Sequence, residues 1–489
     1  MKAKGNNCIQ EWMAILFLTS TFFVNFLHSS VEQTKFSRVD DIFAKFDRTN
    51  SPGCALAIIM DGKIVYRRCF GMASLDHEIT IKPYTVFRIG SMSKQFTAAS
   101  ILILHKMGKL SLDDDIRRYI PEMPEYKWPI TIRHLVHHTG GIREYEMLQD
   151  LAGELNDQGH HSNDDILELL TRQKGLNFKP GEKCQYANSG YTLLSIIIER
   201  VSGMSIGQFT KKNIFDPLNM KNTFILEDNT VIVKNRATGY SVEHNGFKVN
   251  ETLNESTGDG AVFTTIEDFF LWDQNFYHNR IDCNEFIEDM QKVGKLNDGS
   301  DATLGRGQLK YGYASGLVIS KYRGLKTIGH GGAFVGFRAG YVQFPDNKFS
   351  VIILANLADI KTVDLCYDIA DIFLEDYFLE EKPAKPNEES LTEQLEQEPP
   401  ILSGEKLREY VGEYYGDELM VTYILKEKDG NLFFTHENAV SNEPLKWIAE
   451  DTFNYWALQL KFIREKNNTI TGFINESNYI KGMFFKKIR

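Results

Sequence analysis

A serine and a lysine stand three residues apart in the segment GSMSKQF, which leads into an apolar run of helical character. Ser91 then lies in the first turn of a predicted helix, and Lys94 lies on the same helix face. A serine hydroxyl is a weak nucleophile until a base takes its proton, and the N–H groups at a helix start favour developing negative charge. The pair indicates an activated serine with Lys94 as base or proton relay. Ser403 and Lys406 repeat the spacing beside a charged segment, so context rather than spacing favours Ser91.

A second polar segment, FKPGEKCQYANSGY, also precedes an apolar helical run. It places Tyr186 and Asn188 in a turn just before that helix. A tyrosine beside a lysine loses its proton more easily and can act as a base, so Tyr186 is a candidate partner of Lys94. The alternative, a hydrogen-bonded loop aromatic, stays open. Tyr277 and Asn279 repeat the pattern at the ragged end of a predicted helix and are discounted.

The third candidate element is the sequence GLKTIGHGGAFVGF, in which His330, Gly331 and Gly332 end a strand-like run. Glycines in a strand allow a ligand or another backbone to approach closely. His-x-Gly also occurs at His138 and at His244, so the motif by itself indicates little. The motif at His330 becomes informative because it follows the Ser91 and Tyr186 elements in the chain.

The composition is that of a globular protein. The 489 residues include 55 basic and 66 acidic side chains, a formal charge of -11, with 42% hydrophobic and 25% charged residues. At about 150 residues per domain, this length predicts two or three domains. The acidic balance and the lack of a basic stripe argue against nucleic acid as a partner.

The chain opens with a candidate targeting segment. Residues 13–27 form an apolar run that follows two lysines, which predicts a secretory signal cleaved near Ser29 or Ser30. The run is shorter than the roughly 20 apolar residues of a membrane-spanning helix. Residues 1–30 are therefore expected to be a signal peptide or an uncleaved anchor. Either predicts a secreted, periplasmic or otherwise extracytoplasmic protein with no further membrane span.

The cysteines do not form the pattern of a disulfide scaffold. With Asp61 and Gly62 as a two-residue hairpin turn, Cys54 faces Cys69 across the predicted ladder. The two are either a disulfide or two small buried residues. No spacing of cysteine and histidine indicates zinc, and we predict neither a metal nor a cofactor.

The elements that must position these residues come from distant parts of the chain. Strand-like runs lie near both ends of residues 31–380, as CALAIIM and KIVYRRCF at one end and FRAGYVQF and FSVIILAN at the other, with a mainly helical middle. This pattern predicts an α+β fold, an α/β sandwich. Its antiparallel sheet is flanked by helices and carries an inserted all-helical lobe. The natural site is the cleft between sheet and lobe.

The composition changes near the end of this region. Residues 381–403 are rich in glutamate and proline, which is typical of a solvated linker. Residues 404–489 contain short β-rich runs separated by turn residues, which predicts a small all-β barrel.

Taken together and in this order, the three elements resemble the serine β-lactamase and penicillin-binding superfamily, in its class C-like branch. That branch has Ser-x-x-Lys at a helix start, then Tyr-x-Asn, then Lys-Thr-Gly or His-x-Gly on an edge strand. HLVHHTGGI at 134–142 and STGDGAVFTTIED at 256–268 resemble two further segments of the branch. The resemblance spans about residues 34–380. The C-terminal barrel resembles the lipocalin-like appendage of some related peptidases.

The resemblance implies an acyl-enzyme mechanism. Ser91 would be the nucleophile, Lys94 and Tyr186 the proton-transfer pair, and Asn188 a partner of the substrate or of Lys94.

The third element would line the substrate site, with His330 and Gly332 as substrate-binding residues. The backbone N–H groups of Ser91 and Ala333 would form the oxyanion hole, where loss of one donor typically costs about 2.7 to 4 kcal/mol. β-Lactamases of this branch usually carry lysine at the position of His330. Imidazole is largely neutral at pH 7 and holds a substrate carboxylate less well, which argues against efficient β-lactam hydrolysis.

The sequence thus predicts an exported serine hydrolase acting on amide or ester bonds, in the first place a D-aminopeptidase or D-stereospecific peptidase. Its substrates would be small peptides, esters or β-lactam-like molecules. The alternatives are a carboxylesterase or a weak β-lactamase or D-Ala-D-Ala carboxypeptidase and, from another class, a non-hydrolytic binding or assembly module. By analogy with the related peptidases, the barrel could build a homo-oligomer.

Overall fold

The computed structural model describes residues 33–153, 160–281, 285–306, 309–382, 402, 404–436, 439–440, 443–455 and 458–489. The predicted signal or anchor lies outside these residues, as does nearly all of the predicted linker. Within the described part of the chain, no helix has the length and apolar character needed to cross a membrane.

The centre of the first region is an eight-stranded antiparallel sheet with the order β10-β11-β12-β13-β14-β15-β1-β2. The prediction that both ends of this region contribute to one sheet is confirmed, because the early strand β1 pairs with the late strand β15. The strands are β1 (Cys54–Met60), β2 (Lys63–Phe70), β10 (Thr303–Arg306), β11 (Leu309–Tyr313), β12 (Val318–Tyr322), β13 (Leu325–Phe334), β14 (Phe337–Phe344) and β15 (Phe349–Ala355).

The continuous apolar run of β1 follows from its position inside this sheet, because alternate residues of a strand point to opposite faces. Leu56 and Ile58 belong to a core beneath helix α1 (33–43) and helix α10 (Thr362–Phe373). Ala55 and Ala57 belong to the larger core that includes α2 (Lys94–Lys106) and α8 (Ile266–Asn275).

The register of the first hairpin differs from the prediction. A β-bulge between Ile58 and Ile59 shifts the ladder, so that Cys54 lies opposite Phe70, and Cys69 lies opposite Ala55. A one-residue shift moves a side chain to the other face of a sheet. Both cysteines are free thiols, so the disulfide alternative is wrong. Cys54 is a buried core residue and Cys69 is half-buried.

The inserted region is mainly helical, as predicted. Every residue of α2 from Lys94 to Leu104 is buried, which makes it the central helix of the lobe. The other helices here are α3 (Ile132–Val136), α4 (Tyr145–Ala152), α5 (Asn163–Thr171), α6 (Asn188–Ser202), α7 (Ile206–Thr210) and α9 (Glu285–Gln291). Short strands complete the region: β3 (Met72–Ser74), β4 (Ile79–Thr80), β5 (Phe87–Arg88), β6 (Phe224–Ile225), β7 (Tyr240–Glu243), β8 (Gly246–Val249) and β9 (Val262–Thr264).

In the residues that the structure describes, the C-terminal region is all-β apart from one short helix, α11 (Gly404–Arg408). Its nine strands have the order β19-β18-β17-β16-β24-β23-β22-β21-β20. They are β16 (Gly412–Gly416), β17 (Val421–Lys428), β18 (Asn431–His436), β19 (Ala439–Val440), β20 (Lys446–Ala449), β21 (Thr452–Tyr455), β22 (Leu458–Arg464), β23 (Ile470–Ser477) and β24 (Ile480–Lys487).

This sheet curls strongly without closing. The ring centroids of Phe434 on β18 and Tyr455 on β21 lie 4.4 Å apart. In the order of the sheet, five other strands lie between β18 and β21. In the described residues the outer strands β19 and β20 do not pair with each other. The all-β prediction is confirmed, as a half-barrel rather than a closed barrel.

The half-barrel packs directly on the helical lobe. The Tyr423 hydroxyl donates to the Leu151 carbonyl at the end of α4, at 2.6 Å. Arg143 and Glu418 form an ion pair across the contact at 2.6 Å, with 1% and 4% of their side chains exposed. The two regions therefore share a buried interface.

Candidate active site

Ser91 lies in a 3₁₀ turn, Gly90–Ser93, that runs directly into α2 at Lys94. The structure thus places the serine one turn before the α-helix proper. Gly90 has φ of +51°, and a Cβ there would come within 2.8 Å of the Ala333 backbone nitrogen. Glycine at this position therefore allows the turn to press against β13.

Lys94 is fully buried at the centre of the site. Its Nζ lies 3.2 Å from Ser91 Oγ, 2.7 Å from Asn188 Oδ1 and 2.9 Å from the carbonyl oxygen of Asp259. Three acceptors match the three protons of an ammonium group. Burial lowers the pKa of Lys94, while the nearby carboxyl groups, that of Asp259 first, partly offset this effect. The amine therefore loses its proton more easily than an exposed lysine.

Tyr186 and Asn188 are brought to the same point, because α6 begins at Asn188. The Tyr186 ring centroid lies 4.9 Å from Lys94 Nζ. Burial raises the pKa of Tyr186 well above its ordinary value, and the neighbouring Ser91 hydroxyl only partly offsets this. This shift is opposite to the lowering of the Tyr186 pKa expected from a neighbouring lysine, and the role of Tyr186 in proton transfer stays a prediction. The phenol is neutral and can donate a proton.

His330 lies on β13 where that strand loses its partner on one side. Pairing with β12 runs only to Gly329, opposite Val318, so β13 is an inner strand whose last residues have a free edge. His330 Nδ1 donates to the Gly331 carbonyl, and Nε2 accepts from the Tyr313 hydroxyl at 3.3 Å. Burial lowers the pKa of His330 to about 4, so the imidazole is neutral at pH 7.

The two glycines after His330 allow close packing on both faces of β13. A Cβ at Gly332 would lie 1.9 Å from the Ile89 carbonyl oxygen, and a Cβ at Gly331 would lie 3.0 Å from Val363. Ile89 lies two residues before Ser91. The packing of Gly332 on Ile89 therefore places the Ala333 backbone next to the peptide bond that carries the Ser91 N–H.

Three residues of the site have no role predicted from the sequence. His138 has φ of +56°, its Nδ1 accepts from the Ala187 N–H at 3.3 Å, and its ring centroid lies 4.3 Å from that of Tyr186. It therefore supports the Tyr186 segment. The only sequence signal for it was the HLVHHTGGI resemblance.

The other two are the acids Glu144 and Asp259. Glu144 accepts from the Asn188 N–H, and burial raises the pKa of its carboxyl group. Asp259 accepts from the Tyr145 hydroxyl at 3.0 Å, and burial raises its pKa as well. Asp259 lies in the segment STGDGAVFTTIED that carries part of the resemblance, whereas no quoted segment contains Glu144. The contacts of both acids join segments far apart in sequence, so no local pattern indicates their roles.

The site opens into a cleft of about 720 Å³ between the free edge of β13 and the lobe. Ser91, Tyr186 and His330 line it, together with the start of α10. The predicted residues Ser91, Lys94, Tyr186, Asn188, His330 and Gly332 thus meet in one place, and Ala333 lines the same cleft. The arrangement can activate a hydroxyl and transfer its proton.

A profile of the family described as Beta-lactamase matches residues 39–369. The chain belongs to the β-lactamase family. The resemblance inferred from the motifs is therefore confirmed over most of the predicted range.

Two proteins that differ in their named class are similar in sequence to this β-lactamase-family protein. A penicillin-binding protein of Bacillus subtilis is 28% identical over 384 residues, covering 74% of this chain and 81% of that protein. A D-aminopeptidase of Brucella anthropi is 29% identical over 307 residues, covering 62% of this chain and 56% of that protein.

Solved structures show the same fold at lower identity. The octameric penicillin-binding protein homologue of Pyrococcus abyssi matches with a TM-score of 0.62 at 23% identity, over 92% of this chain and all of that one. The D-amino acid amidase of Ochrobactrum anthropi SV3 matches with a TM-score of 0.58 at 20% identity, over 69% of this chain and 97% of that one. Family, fold and site together identify a serine hydrolase.

Proposed function

We propose that this protein cleaves amide bonds through an acyl-enzyme and is a D-aminopeptidase or D-stereospecific peptidase. The observation that carries the proposal is the contact of Lys94 Nζ with Ser91 Oγ, in a pocket whose burial lowers the pKa of Lys94. A base next to a serine on a helix start is the arrangement that nucleophilic catalysis requires.

The proposed acylation begins with neutral Lys94. Its other two acceptors, Asn188 Oδ1 and the Asp259 carbonyl, each receive one of the two N–H bonds, so the lone pair faces Ser91. Lys94 takes the Ser91 proton as Oγ attacks the substrate carbonyl carbon. The backbone N–H groups of Ser91 and Ala333 stabilise the oxyanion.

The tetrahedral intermediate then collapses and the carbon–nitrogen bond breaks. Neutral Tyr186 donates its proton to the leaving amine and recovers a proton from Lys94, which balances the cycle. Water then attacks the acyl-enzyme carbonyl carbon and gives a proton to neutral Lys94. As the bond between the acyl carbon and Ser91 Oγ breaks, Lys94 returns that proton to Oγ, which releases the acid and restores Ser91.

Two features favour an aminopeptidase over a β-lactamase. Neutral His330 supplies no cation for the carboxylate of a β-lactam. Half-buried Glu146 lies beside the Asn188 side chain, and burial raises its pKa to about 6, so the carboxyl group is mostly ionised at pH 7. We propose this carboxylate as the counter-charge for a free α-amino group. The D-aminopeptidase among the relatives supports the same class.

A carboxylesterase is the second candidate, because neutral His330 does not require a charged group on the substrate. The rates on D-Ala-para-nitroanilide, L-Ala-para-nitroanilide, para-nitrophenyl butyrate and nitrocefin distinguish the candidates. A D-aminopeptidase cleaves the first substrate preferentially.

The first test is intact-mass spectrometry of the chain treated with a fluorophosphonate, beside its Ser91→Ala variant. We expect one adduct, mapped to Ser91 and absent from the variant. A folded protein that takes no adduct would favour the non-hydrolytic binding module.

We further propose that the protein is exported and is divided into a hydrolase domain (31–380), a linker (381–403) and a β domain (404–489). Export rests on the apolar segment at 13–27. N-terminal sequencing of the protein from its native source tests it: a chain starting near Ser30 supports cleavage.

A homo-oligomer is also proposed, on the ground that a solved homologue is described as octameric. Light scattering after size-exclusion chromatography tests it, since a 56.1 kDa species would be a monomer.

A further inference from the structure

A second compartment adjoins the catalytic cleft. It has a volume of about 430 Å³ and shares Tyr186, Leu304 and Tyr311 with the cleft. Its opposite wall is formed by Tyr479, in the turn between β23 and β24, and by Lys481 at the start of β24. The C-terminal half-barrel therefore contributes side chains to the immediate surroundings of Tyr186.

Hydrogen bonds between side chains and backbone hold this turn against the hydrolase region. Gln185 Nε2 donates to the Asn478 carbonyl at 2.8 Å, and Asn177 Nδ2 donates to the Tyr479 carbonyl at 2.9 Å. Asn177 Oδ1 also accepts from the Lys481 N–H at 2.9 Å. Since Gln185 directly precedes Tyr186, the turn and the proton donor hold a defined relative position.

The compartment is basic although the whole chain is acidic. Lys183 from the hydrolase region and Lys481 from the start of β24 both line it, and no acidic side chain does among the described residues. Within the same residues, neither lysine takes part in an ion pair. Aromatic side chains, Tyr311 and Tyr479 among them, form much of the remaining wall.

The mechanism proposed above decides which part of a substrate reaches this space. Tyr186 donates its proton to the leaving amine, so the leaving group lies on the Tyr186 side of the scissile bond. The compartment opens at Tyr186.

We propose that this compartment binds the leaving group of an extended peptide and that Lys183 and Lys481 recognise a carboxylate on that leaving group. The inference rests on the proposed function, because the side of the leaving group follows from the role of Tyr186. Both lysines are exposed, so each pairing with a carboxylate contributes up to about 1 kcal/mol. The carboxylate is either the peptide C-terminus or an acidic side chain.

The experiment compares three tripeptides on the full chain: D-Ala-L-Ala-L-Ala with a free carboxylate, its C-terminal amide, and the amide D-Ala-L-Ala-L-Glu-NH2. We expect kcat/KM for the free carboxylate to exceed that for its amide about tenfold, as two favourable ion pairs allow. The glutamyl amide shows whether a side-chain carboxylate substitutes for the terminus. Equal rates on all three peptides would overturn the proposal.

Matched variants locate the effect. In the double variant Lys183→Gln/Lys481→Gln, the preference should fall to within twofold, while D-Ala-para-nitroanilide, which has no extended leaving group, keeps its rate. Lys179→Gln, an exposed lysine of the same segment outside the compartment, is the control and should keep the full preference. A preference that survives in the double variant would contradict the assignment.

Binding to the Ser91→Ala chain separates this inference from the proposed function, because binding needs no turnover. Calorimetry should show tighter binding of the free-carboxylate peptide than of its amide, and the two lysine substitutions should remove the difference. A charge preference in binding without hydrolysis would refute the peptidase and retain the carboxylate site. Hydrolysis without a charge preference would do the reverse.

Discussion

The ion pair between Arg143 and Glu418 provides a direct test of how strongly the half-barrel and the lobe depend on each other. Glu418 accepts from Arg143 Nη1 and from the Lys174 N–H, both at 2.6 Å. Arg143 also donates to Gln173 Oε1 at 2.9 Å and to the Lys481 carbonyl at 2.8 Å. We predict that Glu418→Gln, which keeps the shape and removes the charge, destabilises the folded chain.

The magnitude follows from the burial of the pair. Removing one partner of a buried ion pair costs about 3 to 5 kcal/mol, because the other charge stays buried without compensation. Two neutral acceptors for the guanidinium remain in the variant, at Gln173 and Lys481. We therefore expect the low end, about 3 kcal/mol, which is about a hundredfold in the unfolding equilibrium constant.

The neighbouring pair Lys174–Asp417 supplies the control. It crosses the same contact, but 67% and 53% of its side chains are exposed, and exposed pairs contribute about 0 to 1 kcal/mol. Urea unfolding of the full chain, followed by circular dichroism and tryptophan fluorescence, measures both Glu418→Gln and Asp417→Asn. Equal losses, or a loss below about 1 kcal/mol for Glu418→Gln, would refute the argument from burial.

Four further predictions follow, three on the site and one on the buried histidine His137. Lys94→Ala should lower kcat/KM on D-Ala-para-nitroanilide by about 10² to 10⁴, the usual range for a lost proton-transfer group, while the chain stays folded. His330→Lys adds a cation and should raise acylation by nitrocefin relative to hydrolysis of para-nitrophenyl butyrate. Glu146→Gln should lower kcat/KM on D-Ala-para-nitroanilide and leave the uncharged butyrate ester unaffected. Burial lowers the pKa of His137 to about 4, so the unfolded chain binds more protons than the folded one below pH 6.5. His137→Asn should therefore reduce the loss of unfolding free energy between pH 6.5 and pH 4.

Each of these predictions has an opposing result. Parallel losses of activity and melting temperature would make Lys94 structural. An unchanged ratio of nitrocefin to ester would contradict the charge argument at His330, and equal losses on both substrates would deny Glu146 a role in binding the amine. If the unfolding free energy of His137→Asn falls with pH as steeply as that of the unmodified chain, His137 does not contribute to this fall. All other titrating groups are the same in the two chains, so their effects cancel in the comparison.

Local spacing in the sequence determined much of the site. Ser91 and Lys94 lie on the same helix face because a spacing of three residues is nearly one helical turn. Tyr186 and Asn188 directly precede an apolar run whose pattern predicts a buried helix. The apolar runs near both ends of the hydrolase region were enough to predict the strands of the antiparallel sheet, since the apolar pattern of a strand is a property of neighbouring residues.

Burial and long-range contact came only with the folded chain. The pKa of Tyr186 depends on its burial, which cannot be inferred from the residues next to it in sequence. Likewise, the β-bulge after Ile58 changes the strand register, so that Cys54 does not lie opposite Cys69. Glu418 meets Arg143 across 275 positions. Such contacts arise when separate elements pack, because the cost or gain of burying a charge depends on which groups the whole fold places around it.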